Sequence, residues 1–464
     1  MARRRSNTRE IPSFYQIRKI CENNEARVHF VGIGGVSMYS LARMVMKLGA
    51  IVSGSDREIS QRTERLKSWG VEIFIGHSAD NVNCDLVVYS HAIDEGNPEI
   101  QRAIEKNIPR ISRDRLLGAL MFDYKRRIGV SGSHGKSTTT AILDQIFYYA
   151  NLDPTTLSGA DLPFGDSMHE GGRELLIYEA CEYRDSFLSF SPTISVGLNL
   201  EMDHPDYFAS LEQIKTSFEK ALGRASEFAA ICGDDQNLYE ISKKLPCRRV
   251  TFGFDGRNDY RFFITDFGRV GFVFSLFKKD TYVADFRLNI PGSFNVLNAA
   301  AAITVALECG IDAETVKYAI SDFSGIPRRL QQIGLFRGKP IYYDYAHHPS
   351  EIRQAINALK LLVDGRLAVV FKPHTYTRTK ALWEDFCLSL SLADLTIITD
   401  IYAAREEPIE GVSGENLARA IGDSAVYCKD EYVSLLLGKC SFDGVVLMGA
   451  GDMEYIKNSL TINN

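Results

Sequence analysis

Short apolar runs alternate along this chain with segments whose apolar residues recur at helical spacing. Arg27–Gly32 is one such run and leads into a glycine-rich turn. Val36–Gly49 then places Met38, Leu41, Ala42, Val45 and Leu48 three or four residues apart, the period of a helix packed on one face. A second strand is expected at Ala50–Gly54, followed by Asp56, and Leu86–Ser90 and Pro109–Ile111 read as later strands of the same sheet. The pattern restarts at Ile128–Ser131, which enters Gly132-Ser133-His134-Gly135-Lys136-Ser137 and a helical segment Thr138–Ala150. Leu175–Tyr178 and Thr193–Leu198 are short enough for buried parallel strands, and Val296–Leu307 is an alanine-rich helix. After the polar, proline-containing stretch Gly325–Gln332 it restarts again, with Pro340–Tyr345, Leu367–Phe371, Leu395–Thr399 and Val445–Met448.

Strands alternating with helices predict an α/β chain of three domains, each built on a mainly parallel sheet. The expected limits are 1–26 for an N-terminal extension and 27–127, 128–330 and 331–464 for the domains. A length of 464 residues agrees, at roughly 150 residues per domain. Composition adds mainly exclusions. With 45% hydrophobic and 24% charged residues the chain reads as soluble globular protein, and a net charge of -6 offers no general field for nucleic acid. Arg3, Arg4 and Arg5 make a short basic start that reads as a solvated tail. Neither a secretory apolar core nor a membrane-length apolar stretch is visible, which predicts a cytoplasmic protein. The nine cysteines are scattered without a CxxC pair, as expected of reduced thiols.

The strongest chemical signal is Gly132–Ser137, between a strand and a helix. Glycines there let backbone N–H groups approach phosphate oxygens, Lys136 neutralises β/γ charge, and Ser137 or Thr138 offers a hydroxyl to Mg²⁺. Glu179 ends a buried strand, where open α/β sheets place ligands, and suits a magnesium ligand. Gly32-Ile33-Gly34-Gly35-Val36-Ser37 is a weaker dinucleotide-type turn with serine in the third glycine position. Nothing near Cys181 lowers a thiol pKa, so it is not read as a nucleophile.

Gly-Ser-His-Gly-Lys-Ser-Thr-Thr, beginning at Gly132, resembles the compact phosphate loop of the Mur ligases and their folylpolyglutamate synthetase relatives. The likeness continues through Glu179–Glu182, Asn199–His204, Pro291–Asn298, Arg328-Arg329, Asp344–Pro349, Pro373–Thr379, Ala403–Pro408 and Gly449–Asp452, so it covers nearly everything from residue 27 onward. It implies a Rossmann-like UDP-binding domain, a central phosphate-loop ATPase domain and a Rossmann-like C-terminal domain. ATP would be held by Gly132, Ser133, His134, Gly135, Lys136, Ser137 and Thr138. Asn295 and Asn298 would read the adenine, Arg328 would reach the phosphates and Asp344 the ribose. His204 would bind a second metal ion beside the Ser137 and Glu179 site, with Asp203 and Glu182 orienting the ligands. The implied ion is Mg²⁺, with Mn²⁺ as a substitute.

The same resemblance turns the N-terminal loop from a nicotinamide site into a cradle for a UDP-sugar, made by Gly32, Gly34, Gly35, Ser55, Asp56, Ser90 and His91. His347 and His348 would face the reacting groups. Pro-His-x-Tyr-x-Arg-Thr at Pro373–Thr379 is similar to the alanine-adding branch, which implies that His374 and Arg378 hold the amino acid and that Ala403 and Ala404 suit a small side chain. Arg378 can grip an α-carboxylate bidentately. The implied activity joins L-alanine to the carboxylate of UDP-N-acetylmuramic acid through an acyl phosphate, in peptidoglycan precursor synthesis, with no nucleic-acid or membrane partner and with a homodimer left open. The chain departs from the family pattern at Cys181, Tyr183 and Arg184, at Phe294 where histidine is usual, and at Thr375 where arginine is frequent. Two other readings are a recycling ligase that adds a preformed peptide to the same sugar, and a non-catalytic UDP-sugar-binding regulator.

Overall fold

The computed structural model describes residues 12–204, 207–404 and 406–461; Arg3, Arg4, Arg5 and Arg405 lie outside them. Three sheets organise the chain. The first contains β1 (Arg27–Val31), β2 (Ile51–Asp56), β3 (Glu72–Ile75), β4 (Leu86–Tyr89) and β5 (Arg110–Ser112) in the order β3-β2-β1-β4-β5, all parallel. β1 and β4 are buried along nearly their whole length, which explains their uninterrupted apolar sequence. The helix Val36–Leu48 ends at Gly49, whose φ of 112° turns the chain back into β2.

The central sheet has ten strands. Its parallel part comprises β6 (Arg126–Ser131), β7 (Thr155–Leu157), β9 (Leu175–Glu179), β10 (Ile194–Gly197), β11 (Phe228–Cys232) and β12 (Arg249–Gly253), while β8 (Met168–His169) pairs antiparallel at one edge. The other edge is an antiparallel meander of β13 (Tyr260–Gly268), β14 (Gly271–Lys278) and β15 (Thr281–Leu288), an extension the sequence reading did not include. The order is β15-β14-β13-β12-β11-β10-β6-β9-β7-β8. The C-terminal sheet contains β16 (Gln331–Phe336), β17 (Lys339–Asp344), β18 (Leu367–Phe371), β19 (Leu395–Ile398), β20 (Ala425–Tyr427) and β21 (Gly444–Met448) in the order β16-β17-β21-β18-β19-β20, parallel except for the β16–β17 pair.

The first two sheets share one continuous core, running from Ile17 through Phe30, Tyr39 and Phe147 to Phe274 and Ile326. Full burial of each such aromatic contributes roughly 2–3 kcal/mol. The helix Phe14–Cys21, within the expected N-terminal extension, packs on the helix Arg113–Leu120. Gly118 allows the close approach, since a Cβ there would stand 3.0 Å from Phe14 Cζ, and on its other side 2.4 Å from the Ser189 carbonyl. Ion pairs from Arg43 to Asp166 (2.9 Å) and Glu170 (3.0 Å), and from Arg62 to Asp161 (2.8 Å), tie the same two layers together. The C-terminal sheet has its own core on both faces, around Phe371 and Phe386 on one and Val370 and Leu447 on the other. Among the described residues no helix is long and apolar enough to cross a membrane.

Candidate active site

β6 delivers the loop Gly132–Gly135 to the start of the helix Lys136–Tyr149, which carries no side-chain cap, so its first N–H groups face the loop's concavity. A cavity of about 270 Å³ opens beside it, lined by His134, Gly135, Thr138, Asn295, Asn298, Asp344 and Arg329 among others. The helix Phe294–Glu308 brings Asn298 against Gly135 and ties it to Asn295 by a 3.0 Å hydrogen bond. Ser133 and His134 already donate their amides to Asn199, at 3.2 and 2.7 Å, which fixes the loop on the strand end after β10. Asp344 ends β17 and accepts the amides of Leu330 and Ala346, each at 2.7 Å; burial pushes its carboxyl up to about 6.

Arg328 is not in this cavity. Its guanidinium donates to the Gly449 carbonyl (3.1 Å) and lies over the Tyr343 and Tyr345 rings, so its neighbour Arg329 lines the cavity instead. Arg328 itself has a φ of 60°.

Lys136 donates to the Gly132 and Ser133 carbonyls and pairs with Glu182 at 3.1 Å. Burial opposes its charge, but the Glu182 carboxylate, with Cys181 and Glu179 behind it, holds the ammonium well above its ordinary pKa. From Glu182 the contacts continue to His204 (3.8 Å), from His204 to Asp203 (3.6 Å), and from Asp203 to Arg378 (3.3 Å). Glu182, Asp203 and His204 offer ligand atoms within 4.8 Å of one another. Glu179 stands apart from them and accepts from Ser158 Oγ (3.0 Å) and the Gly159 amide (2.5 Å). His204 sits with Glu182 and Asp203, apart from Glu179, and the resemblance assigns it to a second metal ion rather than to the one at Ser137 and Glu179. Carboxylate oxygens, a hydroxyl and one imidazole nevertheless form a donor set that fits a hard divalent cation.

On the C-terminal side Arg378, 8% exposed, lies in the first turn of the short helix Tyr376–Ala381 and reaches both Asp203 and His374 Nδ1 (3.4 Å). Its Nε is buried without a hydrogen-bond partner. Since an arginine only donates, His374 Nδ1 is the acceptor and its proton lies on Nε2. Burial and the Arg378 charge push His374 down to about 4, and burial pushes His347 to about 3, so both rings are neutral. Tyr402 stacks on His374 with ring centroids 5.6 Å apart. Ala404 is exposed and Ala403 half-buried. Thr375, at φ 65°, accepts the Arg378 amide through its hydroxyl and so caps the helix.

In the N-terminal layer a cavity of about 550 Å³ gathers Gly32, Gly34, Gly35, Asp56, Ser90 and His91, joined by Arg57, Ser60, His77 and Arg113. Asp56 accepts the Gly34 amide at 2.7 Å, which closes the loop. Ser55 is fully buried below it: its hydroxyl donates to Glu99 (2.7 Å) and meets His77 (3.0 Å), so it supports the cavity rather than lining it. A second cavity, about 340 Å³, shares Ser37 and Arg113 with the first and reaches Lys136, Glu179 and Cys181. Arg113, His77 and Glu351 were absent from the sequence reading, which named Arg329 only as the neighbour of Arg328. Arg113 opens a helix immediately after β5, the one signal that would have marked it.

Fold and loop together define a three-domain nucleotide-binding protein of the phosphate-loop type. Family models match consecutively: Mur ligase family, catalytic domain, over 27–125; Mur ligase middle domain over 130–306; and Mur ligase, glutamate ligase domain, over 328–451. The chain belongs to the Mur ligase family. It is similar to the UDP-N-acetylmuramate–L-alanine ligases of Clostridium tetani, 39% identical over 92% of this chain and 96% of that one, and of Alkaliphilus metalliredigens, 40% identical over 95% and 98%. The crystal structure of a UDP-N-acetylmuramate-alanine ligase from Thermotoga maritima superposes with a TM-score of 0.80 at 27% identity, covering 94% of this chain and 98% of that one.

Proposed function

We propose that this chain uses ATP to ligate L-alanine to the carboxylate of UDP-N-acetylmuramic acid, a step of peptidoglycan precursor synthesis. One observation carries the reading beyond the family likeness: Lys136, Glu182, His204, Asp203 and Arg378 form an unbroken line of contacts from the phosphate loop to the arginine of the C-terminal domain. The UDP-sugar would enter the N-terminal cavity at Gly32–Gly35 and Asp56 and extend past Ser37 and Arg113 to Lys136. ATP would lie beside Asn295, Asn298 and Asp344 with its phosphates at the helix start. The domain limits taken for this reading are 27–127, 128–330 and 331–464.

The γ-phosphoryl group passes from ATP to the sugar carboxylate, giving ADP and an acyl phosphate; the free amine of L-alanine attacks the acyl carbon, the amide forms and phosphate leaves. Lys136, released from Glu182 by incoming phosphate, stabilises the charge that develops on the moving group. Mg²⁺, with Mn²⁺ as a substitute, would supply charge neutralisation to the phosphate oxygens and would be held by Ser137 and Glu179, with a second ion at His204 beside Glu182 and Asp203. Arg378 turns from Asp203 to the α-carboxylate of alanine, where its planar fork fits two oxygens. Neutral His374 and His347 flank the amine without repelling it. The reading places the enzyme in the cytoplasm, without nucleic-acid or membrane partners, and leaves room for a homodimer.

The test is a screen of amino acids and short peptides with UDP-N-acetylmuramic acid and ATP, following phosphate and product mass. Phosphate release that needs sugar and L-alanine together supports the proposal. Turnover only with a preformed peptide would move the chain to the recycling ligases, and sugar binding without any turnover would make it a regulator.

A further inference from the structure

The phosphate loop carries an imidazole that the ligase mechanism above does not use. His134 Nε2 lies 3.3 Å from Glu201 Oε2, in the loop after β10, and His348 Nδ1 of the C-terminal domain lies 4.0 Å from the same oxygen. Ligand atoms of all three fall within 4.8 Å of one another. We propose that His134, Glu201 and His348 form a binding site for one transition-metal ion of the zinc type, separate from the oxygen-rich magnesium donors, that joins the phosphate loop to the C-terminal domain.

Four features support it. A tetrahedral zinc with bonds of about 2.0–2.1 Å sets neighbouring ligands roughly 3.3 Å apart, so the three atoms need only small movements to meet one ion. The Ser350 hydroxyl stands 2.9 Å from His134 Nε2 and 2.8 Å from His348 Nδ1, bridging the two nitrogens where an ion would bridge them. His348 Nδ1 also accepts the Ser350 amide at 3.4 Å; an amide N–H only donates, so the lone pair of this 7% exposed imidazole is on the nitrogen that faces the group. Finally, His134 has the outer partner that histidine ligands need. Its Nδ1 is 3.1 Å from Glu351 Oε1, and the other Glu351 oxygen is fixed by the His347 and His348 amides at 3.2 and 3.3 Å.

Two imidazoles and one carboxylate favour zinc or cobalt over magnesium, which prefers an all-oxygen shell. The site borders the nucleotide cavity, of which His134, Glu201 and Glu351 are also walls. A bound ion would therefore staple the C-terminal domain to the loop and crowd the cavity mouth, making zinc an inhibitor.

The inference goes beyond the proposed activity and is tested without it, by equilibrium dialysis of Zn²⁺ alone against the nucleotide-free full-length protein in excess Mg²⁺. A His204→Ala background removes the imidazole of the other cluster. That protein should bind one Zn²⁺ per chain, and adding either Glu201→Gln or His348→Ala should weaken binding at least about tenfold. Co²⁺ should give the visible absorption of a tetrahedral site in the His204→Ala protein and lose it with Glu201→Gln. Glu201 is a half-exposed carboxylate replaced by its neutral isostere, so that variant reads the site even where His348→Ala fails to fold. Absence of Zn²⁺ in the His204→Ala protein, or binding that neither substitution weakens, overturns the proposal.

Discussion

Replacing Gly135 by alanine probes the phosphate loop and the adenine side together. Gly135 sits at φ 84°, where an L side chain costs about 1–2 kcal/mol. A Cβ there would also stand 2.2 Å from Asn298 Oδ1 and 3.0 Å from its Cγ, closer than any real contact. Asn298 is 6% exposed and bonded to Asn295, so it must shift within a packed wall and lose that hydrogen bond, a further loss of about 1 kcal/mol. Gly135→Ala should therefore destabilise the fold by about 2–3 kcal/mol. It should also weaken ATP binding at least about tenfold, because Asn298 lines the nucleotide cavity. Gly165→Ala is the matched control: its φ is 81°, but no heavy atom lies within 4 Å of the added Cβ, so it bears only the backbone strain and leaves ATP binding alone. Urea denaturation and calorimetry with ATP measure both quantities. A Gly135→Ala protein as stable as Gly165→Ala, with unaltered ATP affinity, would refute the reasoning.

Lys136→Ala should lower ligation by at least about two orders of magnitude, and it also strands the buried Glu182. Adding Glu182→Gln should restore denaturation stability but not turnover, and recovered turnover would remove Lys136 from the chemistry. Arg378→Lys should raise the KM for L-alanine while leaving that for ATP nearly constant, since an ammonium lacks the planar fork; steady-state kinetics with the opposite pattern would place Arg378 on the nucleotide. Glu99 is fully buried, and although burial opposes its charge, hydrogen bonds from His29, Ser55, Asn81 and His77 hold its carboxyl at about 2. A carboxyl depressed from 4.5 to about 2 contributes stability of about 3 kcal/mol above its unfolded pKa, lost as pH falls from about 5 to 2. Glu99→Gln should flatten acid denaturation in that window, and a curve as steep as wild type would exclude this network as its source.

Parallel strands and the phosphate loop were legible because each leaves a local mark. Leu367–Phe371 is an unbroken apolar run because β18 is buried on both faces, and Gly132–Ser137 announces itself by the order of strand, glycines and lysine. The β13–β15 meander left a mark too, in the buried alternation of Phe272, Phe274 and Leu276 and of Ala284, Phe286 and Leu288, but the pattern was not read. What sequence does not carry is which way a side chain turns. Ser55 and Asp56 are adjacent, yet successive strand residues face opposite sides of the sheet, so Asp56 lines the N-terminal cavity while Ser55 lies beneath it. The same applies to Arg328 and Arg329. Glu351 looks like an ordinary capping glutamate in Pro349–Glu351; only the packing of two domains shows that it reaches His134, 217 residues away.

The distribution of cores and charges indicates which part of the molecule moves. The N-terminal and central layers share apolar packing and several ion pairs, so separating them would expose a continuous core. The C-terminal domain has a core that is largely its own, joined from the central domain by Phe294 and Leu330, and its contacts with the phosphate loop and with Asp203 are polar: His134 with Glu351, and Asp203 with Arg378. Polar contacts can be exchanged for water or substrate at little cost, whereas a shared core cannot. The carboxylate of alanine would take Arg378 from Asp203, and phosphate would take Lys136 from Glu182. In each case a substrate replaces an internal partner of like charge. Of these two exchanges only that at Arg378 crosses the domain boundary, so opening and closing there would trade Asp203 for the alanine carboxylate, while the trade of Glu182 for phosphate on Lys136 takes place within the central domain.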